Sequence, residues 1–318
     1  MRHLLGLGLL MALVVPANAV DLEKYLPDDT QAVVSLNWQQ VLNSALAERY
    51  FGRDIEKAVK SKDLQRFTQL FDLDPLKDIY RLTVAVPANV QQRQGSILIT
   101  GSFDPEKIEK GVKLFANNVK VHKAGTTPVY ETKGNDGNPV FLAVLDTELA
   151  VLSTDFRYID ETIAKVAGRR KTKINAELAK MVAAQNPKQS MWLVSVVSDN
   201  FKQLANKNPQ GQKAAAVLGK LEVLTGQILV EKDIKVALQA RLSDAAAAKQ
   251  AVDALNAGKL ILTFAVSANE DLKQVAPMIL ELVNSIKISQ KAASVGVDLV
   301  ISQKLIDKVM EQANKNRP

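Results

Sequence analysis

Cysteine is absent from all 318 residues. Its absence removes disulfides, thiol nucleophiles, CxxC redox pairs and cysteine-ligated zinc, so burial and hydrogen bonding alone must hold the fold. Histidine is almost as scarce, at positions 3 and 122. A Ser-His-Asp triad would have to use His122, since His3 belongs to the extreme N-terminus, and no serine lies in a GxSxG setting. One imidazole without a thiolate cannot build the usual zinc set. Aromatic residues make up 5% of the chain, too few exposed rings for the stacking platforms that single-stranded nucleic acid requires. Glycine-rich phosphate loops are missing as well, for Gly6 and Gly8 fall within the first apolar run. The expectation is therefore no cofactor, no metal and no nucleic-acid partner.

What is present begins with an export signature. Met1-Arg2-His3 is a short basic start, Leu4 to Val15 an uninterrupted apolar run, Pro16 a break, and Ala17-Asn18-Ala19 the small-x-small pattern of a cleavage site. The run is about a dozen residues, short of the roughly 20 needed to span a bilayer. Residues 1–19 read as a signal peptide, and the mature chain as periplasmic or extracellular. No later apolar segment approaches spanning length on this reading, so no integral membrane segment is expected after cleavage. Hydrophobic residues at 47% and charged residues at 24% describe a folded globular chain. The 41 basic and 34 acidic residues leave a net charge of +7, which favours anionic surroundings.

Periodicity assigns the elements. Ala32 to Leu36 is a β-branched strand running into a helix through Val41, Leu42 and Leu46. Leu64, Phe67, Leu70 and Phe71 recur at helical spacing, and Leu82 to Val86 and Ser96 to Phe103 form a hairpin. Asp104-Pro105 starts a helix with an acceptor at the N-cap and proline in the first turn, burying Ile108, Val112 and Phe115. Val119 to His122 and Val129 to Thr132 alternate as strands, and Asn135-Asp136-Gly137 is a two-strand turn signal leading to Val140 to Leu145 and Leu149 to Leu152. Asp155 caps a helix that Gly168 ends.

The same order recurs after Pro187. Met191 to Val197 precedes a helix near Asp199, Leu224 to Val230 and Ile234 to Leu242 form a hairpin ending at Ser243-Asp244, and Val295 to Ile301 enters a helix with Leu305-Ile306-Asp307. The apolar stretch 260–266 continues the near-helical spacing of Val252 and Leu255 and reads as helix; 270–285 reads as a second helix. The fold class expected is α+β: an internally duplicated unit of mainly antiparallel sheets covered by helices. Its parts are a first half over 20–168, a basic connection over 169–186 and a second half over 187–318.

Chemistry-bearing residues are few. His122 shares a strand side with Lys120, which predicts a solvated face. Asn135-Asp136-Gly137-Asn138 offers oxygen atoms, but a hairpin turn needs the same residue types. Three adjacent carboxylate pairs, Asp28/Asp29, Asp72/Asp74 and Asp160/Glu161, leave open a glycosidase-like hydrolase, which needs two carboxyls about 5–10 Å apart across a cleft. Each pair also has a structural account, in turns beside Pro27 and Pro75 and near a helix N-terminus. The densest basic cluster, Arg169, Arg170, Lys171 and Lys173, lies between the halves and is the candidate contact for an anionic envelope polymer, a lipid or another exported protein. A carrier of an apolar ligand would instead need a large dry pocket.

The stretch Leu26-Pro27-Asp28-Asp29-Thr30-Gln31-Ala32-Val33-Val34-Ser35-Leu36-Asn37 resembles the mature start of a family of exported bacterial proteins with no known activity. The resemblance extends through Leu73-Asp74-Pro75-Leu76-Lys77-Asp78-Ile79 and Phe103-Asp104-Pro105. It implies export and brings no functional residue with it. Trp38 follows Asn37 here, where relatives often place a smaller residue.

Overall fold

A computed structural model describes residues 22–88, 95–115, 119–134, 136–198 and 217–315. The signal peptide expected at 1–19, the helix expected near Asp199, Asn135 of the hairpin turn and the side chain of Phe115 lie outside the described residues. The protein is α+β, and its twelve described strands form one continuous antiparallel sheet rather than a separate sheet in each half.

The first half contributes β1 (Thr30–Asn37), β2 (Ile79–Pro87), β3 (Ser96–Gly101), β4 (Lys120–Ala124), β5 (Thr127–Lys133), β6 (Pro139–Val144) and β7 (Leu149–Ser153). The second contributes β8 (Met191–Val196), β9 (Leu221–Val230), β10 (Ile234–Leu242), β11 (Lys287–Lys291) and β12 (Ser294–Ile301). Outward from β1 the order is β1-β2-β3-β7-β6-β5-β4, and outward from β8 it is β8-β9-β10-β12-β11. Both halves thus run a three-strand meander, cross by helix and return to fill the edge. They join where β1 pairs with β8, with Val33 opposite Val194 and Ser35 opposite Trp192.

Helices cover both faces because strand side chains alternate. On one face Val33, Leu98, Val151 and Val194 pack beneath α5 (Phe156–Val166) and α6 (Ala176–Ala183), which bury Ile159, Ile163, Leu178 and Val182. On the other, Ile99 and Ala150 meet α3 (Lys62–Phe71) and α4 (Pro105–Phe115) through Phe71, Ile108 and Val112. The helices α1 (Trp38–Leu42) and α2 (Ala45–Val59) precede α3. In the second half α7 (Ala245–Ala268) and α8 (Ala276–Ser285) lie over β10 to β12, and α9 (Gln303–Lys315) follows. Thus 260–266 is helical as read, whereas only Ala276–Ser285 of 270–285 is α-helix, after a 3₁₀ turn at Glu270–Leu272.

Local chemistry places the ends. Asp155 accepts the Arg157 N–H at 2.9 Å to start α5, and Gly168, at φ 69°, stops it. Asp104 accepts the Glu106 and Lys107 N–H groups, each at 3.1 Å, and Asp244 accepts that of Ala247 at 2.7 Å. Two glycines are required by contact. A Cβ at Gly101 would lie 2.3 Å from the Asp78 carbonyl oxygen, and one at Gly111 would lie 2.6 Å from both the Leu70 carbonyl and the Phe71 ring, where α3 meets α4.

Candidate functional site

The basic connection is positioned by the C-terminus of α5. The Arg169 and Arg170 N–H groups both donate to the Ala164 carbonyl, at 2.8 and 3.1 Å, closing the helix around Gly168. Four nearby cations are separated by this turn into different roles. Arg170 turns inward, its Nη2 2.5 Å from Asp28 Oδ2 and 3.7 Å from Glu161 Oε1. Lys173 gives its backbone N–H to Asp28 at 2.8 Å and leaves its side chain exposed. Arg169 lies across the tight turn at Gly125. Among the described residues, Arg169, Lys171 and Lys173 are exposed and their side chains make no ion pair, so Arg170 is the one expected contact that is already occupied.

Beneath this surface lies a charged network that periodicity did not reveal. Lys165, 1% exposed on α5, donates to Asp28 Oδ1 at 2.7 Å and to the Leu26 carbonyl at 2.5 Å, and lies 2.7 Å from Glu161 Oε1. Three donors of one ammonium are thereby used. Glu161 also accepts the Asp28 N–H at 2.7 Å, and Tyr158 donates its hydroxyl to Asp29 at 2.7 Å. Burial pushes the Asp28 carboxyl up, but hydrogen bonds from Lys165, Arg170 and the Lys173 N–H outweigh it and hold the group well below the usual carboxylate range. Burial and the Asp29 carboxylate push Tyr158 up. The one available signal was the spacing of Glu161 and Lys165, four apart on a helix.

Two of the three carboxylate pairs therefore converge: Asp28, Asp29, Asp160 and Glu161 border one cleft of about 480 Å³. Within this cleft Asp28 is unsuited to the role of general acid. A general acid must hold its proton near neutral pH, whereas Asp28 is kept ionised by two cations. The third pair is spent elsewhere. Asp72, at φ 47°, ends α3 and meets Lys107 at 2.5 Å, and Asp74 caps the Leu76 N–H at 3.0 Å. A second cleft of about 460 Å³, bordered by residues that include Asn37, Gln40, Asn43 and Glu231, is shallow and open to solvent, which is not the enclosed dry pocket an apolar carrier needs.

His122 keeps a partly solvated side chain, 39% exposed, but has partners that the strand pattern did not indicate. Its Nε2 lies 2.6 Å from Glu131 Oε2, and its ring sits 5.6 Å from Phe156 and 6.0 Å from Phe141. Hydrogen bonds from His122 and Lys120 hold the Glu131 carboxyl low. The cause is the cross-strand partner: Glu131 stands opposite Lys120 and Val129 opposite His122, with α5 above. In the β5–β6 turn, Gly137 takes φ 79° and Asp136 accepts the Asn138 N–H at 3.1 Å, the hairpin geometry expected there.

The sequence reading of apolar segments is corrected at α7. This helix is long and apolar enough, by length and composition, to cross a bilayer. Its alanine-rich start and the run 260–266, joined by near-helical spacing, form one helix of 24 residues, longer than the apolar segments expected after the signal peptide.

No family model and no curated protein matches the chain. Among solved structures, crystal form I of TP0453 aligns over 93% of this chain and 98% of its own, at 9% identity and a TM-score of 0.46. Crystal form IV of TP0453 aligns over 90% and 94%, at 10% identity and a TM-score of 0.48.

Proposed function

We propose that this chain is an exported, non-catalytic binding protein that contacts anionic envelope material through Arg169, Lys171 and Lys173. The observation carrying this reading is that these three cations stay exposed and without an ion pair on a turn fixed by two hydrogen bonds to Ala164, while the carboxylates beside them are neutralised from within by Lys165 and Arg170. A net charge of +7 agrees with it, and the leader-like N-terminus and the resemblance of residues 26–37 support export. The partner is a polyanion at the cell envelope, attracted by charge rather than held in a pocket. Purified residues 20–318 should co-sediment with an envelope fraction at low ionic strength and be released by high salt. Absence of binding at low salt contradicts the proposal.

A further inference from the structure

Most of the large apolar residues in the distal half of α7 are in water. Ala247, Ala248, Ala251 and Val266 pack inward, yet Leu260 is 57%, Ile261 67% and Phe264 66% exposed. Helical residues follow one another at about 100°, which sets Ala257, Leu260, Ile261, Phe264, Ala265 and Ala268 on one outward arc, opposite Ala248, Ala251 and Val266. Leu255 and Leu262 are exposed outside that arc. Apolar exposure thus wraps the distal half of the helix more widely than the stripe one partner helix would cover.

We infer that this distal half of α7 docks on the apolar boundary of a lipid bilayer, lying in the plane of the interface. Three observations favour lipid over a second copy or another protein. The first is the breadth of the exposure, which a surrounding solvent of acyl chains satisfies and a single groove does not. The second is charge: from Ala254 to Asn269 the sequence holds one ionisable residue, Lys259, and its ammonium turns inward to the Ile286 carbonyl at 2.8 Å. The third is the treatment of hydroxyls. Thr263 donates to the Lys259 carbonyl at 2.9 Å and Ser267 to the Thr263 carbonyl at 2.8 Å, so neither needs water, as hydrocarbon surroundings demand. The helix lies on the surface instead of spanning, because its first turns are held against β10 to β12 and Lys249 and Asp253 are exposed on them.

This surface is independent of the basic connection. The helices α5 and α6 flank that connection and cover one face of the sheet, and α7 covers the other. The test is flotation of residues 20–318 with phosphatidylcholine vesicles and with vesicles that also contain phosphatidylglycerol, all in high salt. Binding to both is expected. The substitutions I261S and F264S together should weaken partitioning about 100-fold, since each exposed side chain loses its transfer into hydrocarbon. The control L114S, at another exposed leucine, should bind like the parent. Unchanged thermal unfolding of I261S/F264S, whose sites are solvent-facing, separates lost docking from lost folding. In addition, F264W should show blue-shifted emission with vesicles that brominated lipid quenches. No flotation in high salt, or flotation insensitive to I261S/F264S, overturns the inference. So does a concentration-dependent dimer that the same pair abolishes, which would assign the face to a second copy. Salt-released envelope binding would survive any of these failures.

Discussion

At the residue scale, Lys165 shows how one buried charge organises a surface. It is enclosed by Asp28, Glu161 and the Leu26 carbonyl, so K165A leaves two carboxylates without their central cation. Removing one partner of a buried pair costs about 3 kcal/mol, and chemical denaturation should show a loss of that order. The pH dependence follows from the depressed Asp28 carboxyl. A group held low in the folded state contributes stability that is present above its unfolded value, near 3.9, and is lost as pH falls toward the folded one. On acidification below about pH 4 the parent should therefore lose more stability than D28N, and equal acid slopes would contradict the ion pair. This network was half legible in the sequence. The pairs Asp28/Asp29 and Asp160/Glu161 were visible as pairs, but their meeting depends on contacts more than 130 residues apart, which no local spacing encodes.

At the scale of elements, most starts and stops were legible because they rest on short-range chemistry: Asp104 and Asp155 as caps, Gly168 as a stop, Gly137 in a hairpin. The strand β11 was not legible. It carries one apolar residue, Ile288, among polar ones, as suits an edge strand, and its turn passes through Ala292 at φ 51°, where glycine or asparagine would have signalled it. Both sheet edges carry lysines: Lys120 and Lys123 on β4, Lys287 and Lys291 on β11. Charged edges deter strand-to-strand association, so K287T/K291T should raise light scattering on concentration, while monomeric behaviour equal to the parent's would show the lysines to be idle. The α3–α4 contact predicts that G111A destabilises by about 1–3 kcal/mol, the cost of overpacking against Phe71 and the Leu70 carbonyl. An unchanged unfolding midpoint would mean the helices part freely.

For the whole molecule, the duplicated order of strands was readable from recurring hydrophobic pattern, whereas the single sheet was not. Joining β1 to β8 rests on cross-strand pairs such as Val34 with Leu193, and apolar alternation in either strand is compatible with many neighbours. The joint also recruits Arg81, which donates to Ser35 at 3.3 Å and to the Pro187 carbonyl at 2.7 Å, linking the two halves from a half-buried position. The result is a scaffold in which α5 and α6, which flank the exposed cations, and the apolar helix α7 pack on opposite faces of one sheet. The most direct measurement of the central claim is co-sedimentation of residues 20–318 with an envelope fraction at low salt, comparing the parent with R169Q/K171Q/K173Q, which leaves Arg170 and the network beneath it intact. At about 1 kcal/mol per cation at an anionic surface, the variant should bind roughly 100-fold more weakly with an unchanged unfolding transition. Equal binding by the two proteins would contradict the assignment of this turn as the contact.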